Sequence, residues 1–93
     1  MLGKSHGLLE QLRRGSAQAQ SALQAVQAAL PEGLGAHVWG AAVRDRTLTV
    51  LVASAAWATR VRYHAPELRE DVSRRLSVEV DRVQVRVRPQ GAA

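Results

Sequence analysis

The sequence has 93 residues, 46% of them apolar, which fits one modest globular domain and excludes general disorder. It contains no Cys, so disulfides and thiolate zinc sites are excluded. The formal net charge is +5, and twelve of the thirteen basic residues are Arg. Such a surplus favours nucleic acid as a partner, then an anionic membrane surface, then an acidic protein. A basic composition unrelated to any partner is the alternative explanation.

Residues 1–6 are expected to be frayed, and residues 7–30 are predicted to form a helix with one apolar stripe. The first twelve residues contain no apolar segment of a signal peptide, and no run of about 18 apolar residues occurs, so we expect a cytoplasmic protein without a membrane span. Residues 15–30 carry no charge. The helix therefore either packs on its own sheet or is shared with a partner chain.

Two strands are predicted over residues 37–43 and 47–53, joined by a turn at residues 44–46. In the second strand Leu48, Val50 and Val52 alternate with Thr47, Thr49 and Leu51. An even loop would place Trp39, Ala41 and Val43 on the core face, whereas a three-residue loop would expose Trp39. We expect the even loop.

A second helical region is predicted for residues 55–76, with Ser54 as its N-cap. Pro66 must kink this helix or divide it, in which case Pro66 takes the first position of the second piece. The third strand covers residues 82–88, where Val83, Val85 and Val87 point inward. Its outward residues are Arg82, Gln84, Arg86 and Arg88, and residues 90–93 form a tail.

The element order α-β-β-α-(α)-β predicts an α+β domain over residues 7–89. Helices cover one face of a three-stranded, mostly antiparallel sheet. Trp57 is expected to be a bulky member of an otherwise aliphatic core. The predicted core residues are Leu48, Val50, Val52, Trp57, Val61, Leu68 and Val72.

The sequence offers no constellation for catalysis, cofactor binding or metal binding. No two of the three His residues have the i, i+4 spacing of a helical metal site. The carboxylates are expected to form surface ion pairs, Glu70 with Arg74 and Asp71 with Arg75. No P-loop is present, and the Gly pair at residues 33 and 35 follows a helix instead of a strand. A non-enzymatic binding protein is therefore predicted.

The remaining Arg residues predict a nucleic-acid surface. The candidate binding residues are Arg44, Arg46, Arg60, Arg62, Arg82, Arg86 and Arg88. Alternation puts Arg86 and Arg88 on one sheet face, where they can follow a phosphate backbone. Protection of a short strand from aggregation is an equally good explanation of this row. Exposed rings for stacking are expected only at Trp39 and Tyr63.

The run LTVLVASAAWATRVR, residues 48–62, resembles the signature of the DciA family, bacterial proteins thought to assist loading of the replicative helicase. That pattern is a strand, a Ser-x-x-Trp-Ala helix entry and an Ala-Pro-Glu-Leu-like continuation. It is matched here by Ser54, Trp57, Ala58 and residues 65–68. The closing VQVRVRP, residues 83–89, also looks like the family's last strand, so the resemblance covers about residues 30–89.

The resemblance implies a KH-like fold and a replication accessory protein at the nucleoid that binds DNA and a DnaB-type helicase. Residues 65–68 lack the Gly-x-x-Gly clamp of KH domains, so DNA contact is expected to depend on Arg. Such contact should be weak, independent of base sequence, and open to single- or double-stranded DNA. Many family members carry a further basic or disordered extension, whereas this sequence ends four residues after Pro89, so full loader activity is not implied.

Two other functions remain open. One is an RNA-binding KH-like module. The other is a protein-binding adaptor that forms a homodimer through its first helix.

Overall fold

The computed structural model describes residues 17–31 and 33–89. The elements in chain order are α1 (Ala17–Ala29), a 3-10 turn (Gly35–His37), β1 (Val38–Arg44), β2 (Thr47–Val52), α2 (Ala55–Tyr63), α3 (Ala65–Leu76) and β3 (Arg82–Val87). This order confirms the predicted α+β, KH-like arrangement. The predicted frayed end, residues 7–16 of the predicted first helix and the predicted tail lie outside the described residues.

The three strands form one mixed sheet in the order β1-β2-β3. β1 is antiparallel to β2, but β3 is parallel to it. The expectation of a mostly antiparallel sheet is therefore wrong for one of the two strand pairs. The cause is the connection between β2 and β3, which runs through two helices and returns the chain in the same direction.

The loop between β1 and β2 has two residues, because Arg44 pairs with Thr47. Asp45 and Arg46 both have positive φ angles, 53° and 64°, as a type I′ turn requires. The even loop is thus confirmed. The carbonyl of Arg46 accepts the backbone N–H of Asp81 at 2.7 Å and ties the turn to the start of β3.

A β-bulge at the start of β1 changes which residues face the core. Val38 pairs with Val52, but Gly40 pairs with Leu51, so Trp39 is an extra residue without a partner on β2. Val38 and Ala41 are buried, whereas Trp39 is only half-buried. The prediction that Trp39 joins the core face is therefore wrong. The loop length alone could not show this, because the register shifts at the end of the hairpin farthest from the turn, between Val38 and Gly40.

Six of the predicted core residues are at most 1% exposed: Leu48, Val50, Val52, Val61, Leu68 and Val72. Residues of α1, among them Ala22 and Val26, complete this core. Trp57 is half-buried and packs against the edge of the core, so its predicted place inside the core is wrong. Trp57 occupies the first turn of α2, where its ring stacks on His37 instead.

His64 separates α2 from α3, so Pro66 divides the helical region in two. Pro66 is the second residue of α3 and not the first. Ser54 caps α2, since its Oγ accepts the backbone N–H of Trp57 at 3.5 Å. None of the described helices has the length and apolar character that crossing a bilayer requires.

Candidate nucleic-acid interface

The face of the sheet that points away from the core forms a groove of about 900 Å³, here called the sheet groove. It is built by the outward residues of β2, by β1, by β3 and by Gln20 and Leu23 of α1. Its charged lining residues are Arg44, Asp45, Arg86 and Arg88, and its other lining residues include Trp39, Thr49, Leu51 and Gln84. Asp45 is the single carboxylate among the described residues that line it. The groove therefore presents a net positive surface to an anion.

Strand alternation places Arg86 in the sheet groove, beside its pairing partner Leu51. Its Nη2 donates to Gln84 Oε1 at 3.3 Å. Arg86 and Arg88 are exposed, and neither forms an ion pair within the described part of the chain. Two guanidinium groups thus remain available to phosphates.

Arg88 lies just after β3, yet its backbone is held at both ends. Its N–H donates to Val52 O at 2.8 Å, which continues the pairing with β2. Its carbonyl accepts the indole Nε1–H of Trp39 at 2.9 Å. The bulge therefore sends the Trp39 ring across the end of β2, where it fixes the backbone that carries Arg88.

The outer edge of β3 extends this positive surface. Arg62, from α2, donates through Nη2 to Val85 O at 3.1 Å and so covers part of that edge. Arg62 and Arg86 line a second hollow of about 360 Å³. Because Arg86 lines both hollows, basic residues continue from the sheet groove around the β3 edge to Arg62.

Two of the predicted binding residues, Arg46 and Arg82, do not line the sheet groove. Arg46 is paired with two carboxylates, since its Nη2 lies 2.8 Å from Glu79 Oε1 and its Nε lies 2.9 Å from Asp81 Oδ2. These ion pairs neutralise it. Arg82 is exposed at the start of β3 but does not line the sheet groove.

Arg60 is separated from the other candidates. It lies two positions from Arg62, which is about 200° around an α-helix. Its guanidinium carbon lies 5.7 Å from the centroid of the Trp57 ring. Arg60 lines a third hollow of about 570 Å³, here called the aromatic hollow, together with Trp57, Tyr63 and other residues. The predicted set of seven Arg residues therefore does not form one surface.

Sequence reasoning missed the centre of the aromatic hollow. The rings of His37 and Trp57 stack with their centroids 3.5 Å apart and 11° between their planes. Twenty positions separate the two residues, and no local periodicity connects the 3-10 turn that holds His37 with a later helix. No signal in one sequence points to this contact.

The ion pairs on α3 differ in part from the prediction. Asp71 accepts from Arg75 Nε at 3.2 Å, as expected, but Arg74 Nη2 also binds Asp71, at 2.8 Å. The predicted pair of Glu70 with Arg74 is therefore wrong. Both i, i+3 and i, i+4 neighbours are within reach on a helix, and Asp71 serves both Arg residues.

Within residues 17–31 and 33–89, no three His, Asp or Glu side chains are grouped so that they could hold a metal ion. His64 Nδ1 lies 3.2 Å from Glu67 Oε1, an exposed pair.

The sequence matches the DciA family, the antecedent of DnaC and DnaI, over residues 3–85. No curated protein matches the chain. The family match confirms the resemblance seen at residues 48–62 and extends it through α1. It covers nearly the whole chain. The chain is therefore a member of the DciA family, a family whose role is the loading of the DnaB replicative helicase in DNA replication.

Proposed function

We propose that this chain is a non-enzymatic replication accessory protein that binds both a DnaB-type helicase and DNA in the cytoplasm, at the nucleoid. Family membership supports the helicase partner. The DNA partner is supported by one observation: Arg86 and Arg88 lie in an open groove without an ion pair to any described carboxylate.

The position of the two Arg residues suits a phosphate backbone. They are two positions apart on one side of the sheet, about 6.6 Å along the strand. Their guanidinium groups can each fork onto phosphate oxygens of neighbouring nucleotides. Contacts with phosphates do not distinguish one base from another, so we expect binding to be weak and independent of base sequence.

The adaptor alternative has less support. In the described part of α1, the apolar residues Ala22, Ala25 and Val26 are buried within the chain. The helix packs on β1 and α3. These apolar residues of α1 are therefore not open to a second copy.

The test is a salt titration of DNA binding by fluorescence anisotropy for wild type and the Arg86→Ala/Arg88→Ala variant. Each neutralised phosphate contributes about 0.7 to 0.9 to the slope of log affinity against log salt. Removing two contacts should therefore flatten the slope by about 1.4 to 1.8. Both side chains are exposed, so the melting temperature should stay nearly unchanged.

The matched control is the Arg74→Ala/Arg75→Ala variant. It removes the same two charges, but from the ion pairs with Asp71 on α3. Its slope should stay near that of wild type. Equal flattening in both variants would show that overall charge, and not the sheet groove, governs binding. No binding even at low salt would refute the DNA partner.

The helicase partner is tested separately, by co-elution of the purified chain with a DnaB-type helicase in gel filtration. We expect a complex from wild type and from the Arg86→Ala/Arg88→Ala variant. Absence of a complex with wild type would contradict the helicase part of the proposal. The same preparations should show no ATPase or nuclease activity of the chain alone.

A further inference from the structure

Tyr63 is exposed in a way that its surroundings do not explain. It is 83% exposed, and no other large apolar side chain in the described chain is exposed. Its ring meets that of His64 edge to face, at 5.2 Å and 90°. With so much of its surface open, at least one face of the Tyr63 ring has no covering group.

Two other rings of the aromatic hollow, those of His37 and Trp57, are already in contact with each other. His37 stacks on Trp57 at 3.5 Å, and Arg60 lies near the same Trp57 ring. Among the described rings none stacks face to face on Tyr63, which is 83% exposed. No carboxylate is among the described residues that line the hollow, while Arg60 supplies a cation.

We propose that the aromatic hollow binds an unpaired base of single-stranded DNA, which stacks on Tyr63 while Arg60 contacts a flanking phosphate. This inference rests on the proposed function and adds a strand preference to it. Base–aromatic stacking tolerates any base, because every base has a π face. In a duplex both faces of a base are covered by its neighbours, so only a single strand can use this site.

The aromatic hollow and the basic surface are lined by different sides of α2, since Arg60 and Arg62 point about 200° apart. Arg62, which continues that surface around the β3 edge, directly precedes Tyr63 at the end of α2. The two surfaces therefore come within one residue of each other in the chain at the end of α2. An apolar protein segment is the competing occupant, but the positive charge of Arg60 favours a polyanion.

The test compares Tyr63→Ala and Tyr63→Phe with wild type on single- and double-stranded oligonucleotides of equal length. Loss of one stacked base costs about 1–3 kcal/mol, so Tyr63→Ala should weaken single-strand binding about fivefold or more. Duplex binding should be unchanged. Tyr63→Phe keeps the π face and should bind like wild type. Melting temperatures check that both variants fold.

An oligonucleotide with abasic sites is the matched ligand control, because it keeps the phosphates and lacks the bases. Wild type and Tyr63→Ala should bind it equally. Photocrosslinking of an oligonucleotide carrying 5-iododeoxyuridine, followed by mass spectrometry, should place the crosslink on Tyr63.

The outcomes separate this inference from the proposed function. If DNA binding responds to Arg86 and Arg88 but Tyr63→Ala leaves single-strand affinity unchanged, the stacking site is refuted and the proposed function stands. If Tyr63→Ala weakens only helicase binding, the hollow is a protein-docking site and the inference is overturned. If wild type binds no DNA, both fail.

Discussion

Replacing Leu48 and Leu51 by Ala, in separate proteins, measures which face of β2 is closed. Both are Leu on the central strand, three positions apart, and they point to opposite faces. Leu48 is 0% exposed, so Leu48→Ala loses about 0.8 kcal/mol for each buried carbon and leaves a cavity. We expect Leu48→Ala to lower the free energy of unfolding by about 3–5 kcal/mol.

Leu51 is half-buried in the sheet groove, beside Arg86. Leu51→Ala removes the same atoms, but solvent fills the space, so no closed cavity forms. Because Leu51 is half-buried, the variant loses only about half of the free energy of burying these carbons, so the free energy of unfolding should fall by about 1 kcal/mol. The difference between the two variants, about 2–4 kcal/mol, is the energetic signature of one covered and one open face.

The assay is urea denaturation followed by circular dichroism, with the unfolding free energy obtained by linear extrapolation. An unchanged m-value in both variants would show that the comparison is between equally compact native states. Similar losses for the two variants would refute the assignment of an open face. The groove that holds Arg86 and Arg88 would then be covered in solution.

Two further changes test the helices. Trp57→Ala should lower the free energy of unfolding by about 1.5–2.5 kcal/mol, roughly half the loss for a fully buried Trp, because Trp57 is half-buried at the core edge. A loss of about 3–5 kcal/mol in urea denaturation would show that Trp57 belongs to the core after all. Ser77→Gly should stabilise the protein by about 0.5–1 kcal/mol, since Ser77 ends α3 with a φ of 55° that Gly adopts without strain. Its melting temperature should rise by a few degrees, and a fall would contradict the strain at Ser77.

Local patterns predicted the elements well, because each depends on neighbours along the chain. The alternation in residues 47–52 identified β2 and its buried face. Pro66 lacks the N–H that an unbroken helix needs, and the chain indeed divides at His64. The two-residue turn was predicted because an even loop length puts the apolar residues of β1 on the same face of the sheet as those of β2.

Contacts between distant segments could not be predicted in this way. Arg46 finds its two carboxylates at Glu79 and Asp81, more than thirty positions later, so its charge is already paired within the chain. Arg60 and Arg62 look equivalent in the sequence, but helix geometry sends them to different hollows. Composition counts charges, whereas the fold decides which of them remain available to a partner.

The bulge at Trp39 shows how one irregularity can create the candidate site. Without the extra residue, Trp39 would point into the core, as the alternation predicted. The register shift at the bulge turns its indole to the other face of the sheet, where the Nε1–H donates a hydrogen bond to Arg88 O at 2.9 Å. Arg88 follows the last residue of β3, a place where chains commonly fray. Because Trp39 and Val52 hold its carbonyl and its N–H, Arg88 keeps the alternation of β3 and extends the positive row of the sheet groove.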